Sequence, residues 1–329
     1  MDAVSKNRQT QDTLQALAAH WFPHVRLAGS RELTEGYFNA SYVLTWDSGD
    51  SVILKIAPSP QIRVMTYEQQ AMAHEVRCMA LLRRQPELPV ARVLAWDRSH
   101  RYCDADCFFM TALPGQSLSR LKAELPPEQL ADLQGELGAM NALINQIPGP
   151  VFGYWGQPAC QSADWFTAFG AMLQTALADC AAVSLDPGTT WAELRCLLQQ
   201  TRGSFRPVTQ PRLVHWDLWD GNVFVQAGRI SGLIDFERCL WADPLMEVGF
   251  RSYNQDPAFL RGYGLTAFDC RQQCRILWYD LYLYLLCAME GRYRQYPDDG
   301  TERWACDHLP QTLERLRHAS ALASQASRK

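Results

Sequence analysis

The chain has 329 residues, 47% of them hydrophobic and 20% charged. That is enough apolar material for about two ordinary domains, and it excludes a disulfide-stapled miniature, a fibrous protein and a disordered one. The 31 basic and 35 acidic residues leave a formal charge of -4; no basic run is long enough to follow a phosphate backbone, so no nucleic-acid partner is expected.

The opening segment, MDAVSKNRQTQDTLQ, lacks the basic head and apolar centre of a secretory signal, and the expectation is a cytoplasmic protein. Apolar positions recur at helical spacing over residues 10–21, and Pro23 closes them. Two β-rich runs follow, 35–46 and 51–56, around the turn Asp47-Ser-Gly-Asp50, and predict a hairpin with Gly36 at its entrance. Helical spacing returns over 67–84, and beyond Pro89 come two further short strands, 92–97 and 107–112. The first third therefore reads as a small antiparallel sheet with a helix packed on it.

After Leu113-Pro-Gly115 the pattern changes. Helical spacing marks 126–147, 163–182, 190–201, 270–293 and 301–323, while 222–225 and 230–234 form a short hairpin; a polar tail after Ala323 is expected to fray. The most apolar run, 276–289, is too short for a bilayer and contains Asp280, so it predicts a core helix and no membrane span. The eleven cysteines are odd in number and scattered. Cys103 with Cys107 and Cys270 with Cys274 are four apart, neither pair forming a zinc knuckle with a completing histidine, and reduced thiols are expected.

The chemistry concentrates in Leu213-Val-His-Trp-Asp-Leu-Trp-Asp-Gly-Asn-Val-Phe-Val225 and Ile230-Ser-Gly-Leu-Ile-Asp-Phe-Glu237. A lone aspartate in a loop is ordinarily a turn or cap residue. Here Asp217, Asn222 and Asp235 stand in the order of a kinase catalytic loop, Asp-x-x-x-x-Asn, followed after one hairpin by a metal aspartate. Phosphoryl transfer needs such a set: a carboxylate beside the attacking hydroxyl and oxygen ligands for magnesium.

His215-Trp-Asp217 through Asn222, with Ile234-Asp235-Phe-Glu237 and Ala242-Asp-Pro244, resembles the aminoglycoside phosphotransferase and choline-kinase-like family over roughly residues 33–250. The resemblance implies an α+β, bilobal, protein-kinase-like fold: a small N-terminal antiparallel sheet with a helix, and a larger, mainly helical C-terminal lobe. It divides the chain into a nucleotide-binding lobe, 1–112, and a catalytic and acceptor-binding lobe, 113–329, with a hinge near 111–115. Asp217 becomes the base, and Asn222 and Asp235 the Mg²⁺ ligands. Gly36, Asn39 and Ser41 match the family's nucleotide loop, Lys55 its phosphate lysine and Glu75 the lysine's ion-pair partner, with Glu68 as the rival on the same helix. Met110 would back the adenine pocket, with the backbone of Thr111 and Leu113 reading the base of ATP or GTP.

Departures from the protein-kinase pattern point to small acceptors. Trp219 stands where protein kinases keep a lysine, and Glu237 where they keep glycine. Trp219 suits stacking on an acceptor ring or packing of its own loop; Glu237 suits assistance to a second metal. His215 is expected to brace the loop, and Glu247 to be structural. The chain after Asp235 carries no Ser, Thr or Tyr before Phe250, which disfavours a protein kinase. The reading is thus a kinase that phosphorylates a hydroxyl of a small molecule, with an aminoglycoside or other antibiotic as the first acceptor. The alternatives are a metabolic kinase for an amino alcohol, sugar or fructosamine, and a catalytically silent nucleotide-binding protein. Between 235 and 307 twelve acids face eight arginines and no lysine, a local balance of -4. That balance suits either a cationic acceptor or solvated helix faces.

Overall fold

Helix α1, Gln11–Trp21, starts where the Thr10 hydroxyl accepts a hydrogen bond from Thr13 N–H. In the computed structural model, which describes residues 3–326, α1 lies on one face of a five-stranded antiparallel sheet. Its strands are β1 (Leu27–Leu33), β2 (Ala40–Trp46), β3 (Ser51–Ile56), β4 (Val93–Asp97) and β5 (Cys107–Thr111), in the order β1-β2-β3-β5-β4. Strand β2 alternates strictly between buried and half-buried residues. Ala40, Tyr42, Leu44 and Trp46 pack with Leu14, Leu17 and Ala18 of α1, which sends Ser41 and Val43 to the other face. Pairing places Lys55 of β3 between Ser41 and Phe108. Helix α2 (Ala71–Leu82), between β3 and β4, packs Met72, Val76 and Met79 into a cluster that also holds Phe108 and Met110.

The hinge Pro114-Gly115 turns on Gly115, whose φ of +97° is left-handed and whose Cβ, if it had one, would sit 2.2 Å from the Val225 carbonyl oxygen. Beyond it lie β6 (Gln116–Ser117), α3 (Leu118–Leu121), α4 (Pro127–Ile144), α5 (Trp165–Ala182), α6 (Trp191–Gln200), β7 (Arg212–Val214), β8 (Val223–Gln226), β9 (Arg229–Leu233), β10 (Leu240–Ala242), α7 (Pro257–Tyr263), α8 (Cys270–Arg294) and α9 (Gly300–Ala326). The two lobes thus join a small sheet to a larger, mainly helical body. Helix α8 is buried along most of its length. Its Asp280 is paired with Arg251, also fully buried, and no described helix is long and apolar enough to cross a membrane. All eleven cysteines carry free thiols.

Several elements depart from the expectation. Edge strand β1, LAGSREL, has no fully buried residue and therefore no apolar alternation to read. Its neighbour β2 starts only at Ala40, leaving 34–39 as a loop over the cleft. Strands β7 and β10 are three residues each and pair across the site loops. Helix α7 is one short segment capped by Asp256. Helix α9 continues to Ala326, past the point where fraying was expected; 327–329 lie outside the described residues.

Helices α4 and α7 approach closely because glycines face each other. A Cβ on Gly138 would lie 2.1 Å from the Phe259 carbonyl oxygen, whereas one on Gly135 would meet only Ala258 O at 3.7 Å. Gly138→Ala is therefore expected to lower stability by about 3 kcal/mol. Gly135→Ala, which gains helix propensity without a clash, is expected to be neutral or slightly stabilising. Paired denaturant melts test the contrast; equal effects would contradict the packing described.

Candidate functional site

A cavity of about 980 Å³ runs between the lobes. The inner face of the sheet supplies its roof through Ser41, Val43, Ile53, Lys55 and Met110, with Gly36 and Asn39 from the loop before β2. Thr111 and Leu113 line the hinge side, and Asp217, Asn222 and Asp235 the floor. Of the residues assigned from sequence to nucleotide, metal or catalysis, Glu75 lies behind the cavity wall, buried on α2; His215, Glu247 and Glu68 are buried off the cavity too.

Lys55 ties roof to floor. Its Nζ donates to both oxygens of Glu75 at 2.8 and 2.7 Å and to Asp235 Oδ1 at 2.8 Å. Burial works against the ammonium, but Asp235, Glu75 and Glu237 outweigh it and hold the lysine charged well above its usual range. Burial likewise acts to lift Asp235, yet Lys55 prevails and keeps it ionised below the usual carboxylate value. The rival carboxylate, Glu68, expected on the same helix, lies in a separate turn before α2, which starts only at Ala71; it accepts from Met65 N–H at 2.8 Å and pairs with Arg294.

The loop 215–222 is held from beneath. Glu247, fully buried, accepts from His215 N–H at 2.8 Å, Trp216 N–H at 3.1 Å, and the side chains of Asn141 and Asn145 at 2.8 and 2.9 Å. Trp216 has a left-handed φ of 64°, a conformation costing an aromatic residue about 1–2 kcal/mol. Burial drops the His215 imidazole to about 4, so it is neutral: Nε2 faces the Ile234 carbonyl at 3.0 Å and Nδ1 accepts from Asp217 N–H at 3.3 Å. A single tautomer, protonated on Nε2, satisfies both contacts. Asn222 Nδ2 donates to the Asp217 carbonyl at 2.8 Å and to Asp217 Oδ2 at 3.2 Å. Among the described residues its Oδ1 takes no hydrogen bond.

Asp217 is 22% exposed, and burial lifts its carboxyl to about 7; Arg238, 3.9 Å away, opposes the rise and Asp235 adds to it. Such a group can hold or release a proton near neutrality. Trp219 is 41% exposed, and its indole lies across Gly221, where a Cβ would come within 2.3 Å of the ring. One ring face packs the loop while the side chain opens into the cavity.

The donor set fits a divalent cation. Oxygens of Glu75, Asp235 and Glu237 lie within 4.8 Å of one another, three carboxylates against the single ammonium of Lys55. Burial and the neighbouring Asp235 push Glu237 far above the usual carboxylate range. With Glu237 ionised the three carboxylates would exceed the Lys55 charge by two, an excess of the kind a divalent cation neutralises. Glu237 also accepts from Asn39 Nδ2 at 2.7 Å, joining the loop before β2 to the floor.

Several residues of the site carry no local sequence signal. Arg238 bridges Asp217 and Glu290, and Arg294 pairs with Glu68 and lies 3.9 Å from Glu290. Asn141 and Asn145 announce themselves only by standing four apart on α4, one face of a helix turned to a buried acid.

The fold has solved counterparts. A thermostable mutant of aminoglycoside phosphotransferase APH(4)-Ia, in ternary complex with ADP and hygromycin B, superposes with a TM-score of 0.63 at 16% identity, covering 92% of this chain and 98% of that one. A putative aminoglycoside phosphotransferase from Ralstonia eutropha JMP134 gives 0.64 at 11% identity, covering 95% and 99%. The streptomycin–ATP ternary complex of APH(2'')-IIa gives 0.60 at 12% identity, covering 92% and 97%. At these identities the likeness is one of fold, and no curated protein sequence matches the chain. The sequence model of the phosphotransferase enzyme family matches residues 30–277, and with that match spanning most of its length the chain belongs to the phosphotransferase enzyme family.

Proposed function

We propose that the protein is a kinase that uses ATP or GTP with Mg²⁺ to phosphorylate a hydroxyl of a small molecule. The observation that carries this reading is the Lys55–Glu75–Asp235 ion-pair set facing Asp217 and Asn222 across one cavity. In the proposed division, 1–112 bind the nucleotide and 113–329 carry the catalytic groups and the acceptor. Thr111 N–H is already spent on the Arg92 carbonyl at 3.0 Å. Its carbonyl and the Leu113 N–H are then the groups that read the base, with Met110 behind it. Gly36 leaves open space beside the backbone, its nearest Cβ contact being Asn39 O at 3.9 Å; with Asn39 and Ser41 it borders the phosphates.

Lys55, fixed by Glu75, orients the α- and β-phosphates. Asp235 and Asn222, with Glu237 alongside, would hold the Mg²⁺, which when bound neutralises charge on the phosphate oxygens. Asn222 also aims Asp217. Asp217 takes the proton of the acceptor hydroxyl at its carboxylate, for which a value near 7 is suited. His215 is buried, neutral and committed to two backbone groups, so it orients the loop. A silent nucleotide-binding protein is disfavoured because each of these positions holds a competent side chain. An aminoglycoside or other antibiotic is the first acceptor the fold suggests, an amino alcohol, sugar or fructosamine the metabolic alternative; the choice turns on the charge at the cleft's far end.

Asp217→Asn is expected to cut turnover by about 10²–10⁴-fold while nucleotide affinity, read by calorimetry, stays close to that of the parent. Near-normal turnover refutes the assignment. For the unaltered chain, kcat/KM for the acceptor should fall about tenfold per pH unit below about 7, since only the ionised carboxylate accepts the proton; a flat profile counts against Asp217 as base.

The same carboxyl makes a stability prediction. Its folded value near 7 lies above the unfolded value of about 3.9, so ionising it destabilises the folded chain: the cost is absent below about pH 4 and complete above about pH 7. Asp217→Asn removes that cost. It is expected to gain on the order of 2 kcal/mol at about pH 8 and nothing near pH 4. Thermal melts across pH test this; a variant less stable than its parent at high pH would contradict it.

A further inference from the structure

Outside the metal cluster, every carboxylate lining the cavity has a basic partner among the described residues. At the rim Glu35 pairs with Arg120, and Asp220 with Lys122 at 2.6 Å. At the far end, beyond Asp217, Glu290 is locked between Arg238 and Arg294, and Arg238 also faces Asp217 at 3.9 Å. Both acids that line this end, Asp217 and Glu290, thus already face a guanidinium, and Arg294 is held in turn by Glu68 behind the wall.

Beyond Asp235, Glu237 and Glu290, none of the acids of the C-terminal region lines the cavity. Asp256 and Asp269 cap helices. Asp243 and Asp280 are buried against Arg275 and Arg251, while Asp299 and Glu302 pair with Arg303 and Arg292. A polycation entering this end would find no free carboxylate, and would set its own charges beside two guanidiniums fixed in place.

What the far end does offer is ring surface. Tyr253, 46% exposed, stands edge-on to Trp304 at 5.2 Å, and both line the cavity. The open side of Trp219 lines it from the loop, and Tyr37 with Tyr296, 5.9 Å apart, from the roof. Val248 and Leu283 add apolar wall, with Asn254 and Thr301 as isolated polar groups. Such a lining binds an apolar or ring face and orients it with few hydrogen bonds.

We infer that the acceptor is a hydroxylated compound of low charge, carrying at most one amine and presenting an apolar or ring face to Tyr253, Trp304 and Trp219; this rests on the kinase reading above. The Arg238–Glu290–Arg294 bridge is the specificity-determining feature that disfavours polycations. Transfer follows the proposed chemistry: the acceptor oxygen forms the new P–O bond, the β–γ bridging P–O bond breaks, and the hydroxyl proton passes to Asp217.

The test is a nucleotide-consumption assay of the full chain with Mg²⁺, using hydroxylated probes graded by amine count: digoxin with none, erythromycin A with one, kanamycin A with several. Turnover is expected for one or both low-charge probes, with kcat/KM at least about tenfold above that of kanamycin A and little changed by salt. Preference for kanamycin A, or no turnover of the low-charge probes while acceptor-free nucleotide hydrolysis continues, overturns the inference. Absence of any Mg²⁺-dependent hydrolysis sinks the kinase reading instead. Tyr253→Ser, at an exposed position where folding is not at stake, should raise acceptor KM up to about tenfold with nucleotide KM unmoved; an unchanged acceptor KM removes the aromatic wall from the argument. Arg238→Gln, which unlocks Glu290, should shift the selectivity ratio toward kanamycin A, and a ratio that stays put removes the bridge as its determinant.

Discussion

The geometry of the site hangs on a buried carboxylate that touches no ligand. Glu247 gathers four donors, two from the backbone at His215 and Trp216 and two from the asparagines of α4. Burial still holds its carboxyl above the usual range, so this is not a comfortable position for a charge. It is a position that only a fixed acceptor can fill, because the left-handed turn at Trp216 points consecutive N–H groups inward and they would otherwise be orphaned. From Glu247 the order propagates in one direction: His215 is set, its ring takes Asp217 N–H, and Asn222 closes on Asp217 from the other side. Asp217 thus inherits its place from the core of the helical lobe.

The cleft is divided electrostatically. Around Lys55 the carboxylates outnumber the cation, and one of them, Glu237, is driven toward its neutral form by burial and by Asp235. That imbalance is a cost to the folded chain that a bound divalent cation removes, so nucleotide with Mg²⁺ is expected to stabilise the protein by mass action as well as to react. Around Glu290 each acid already has a guanidinium partner, so no carboxylate there is left for an ion to pair with. The same residue type therefore signals a ligand at one end of the cavity and a closed structural unit at the other. Only the count of partners distinguishes them.

Partners are what the sequence conceals. Asp217, Asn222 and Asp235 were legible because their spacing is short and the hairpin between Asn222 and Asp235 is tight; Lys55, on the strand after the first hairpin, was legible only beside that motif and the family resemblance it carries. Edge strand β1 has no fully buried residue, and β7 and β10, though buried, are three residues each and too short to show a period. The acid excess between 235 and 307 read as a property of the lobe. It is instead a set of caps and long-range pairs, such as Arg238 with Glu290 and Arg294 with Glu68, whose members lie tens to hundreds of residues apart. Composition counts charges, whereas binding depends on those left over after folding.

Arg294 shows how closely specificity and architecture are joined. Its guanidinium bonds Glu68 before α2 and Tyr296 Oη at 2.8 Å, lies near Glu290, and sits 4.9 Å over the ring of Phe38 in the loop above the cleft. Its backbone carbonyl accepts from Val4 N–H at 3.0 Å, in the segment whose Ser5 reaches the Tyr37 carbonyl of the same loop. One side chain at the end of α8 thus neutralises the acceptor end and fastens the loop that roofs it. A change that opened the site to cationic acceptors by removing Arg294 would release the roof as well. Arg238 is tied to fewer elements, holding Glu290 and facing Asp217 on the floor with the Tyr67 ring 5.5 Å away, and none of these contacts involves the loop at 34–39; the charge of the acceptor end is therefore better probed there than at Arg294.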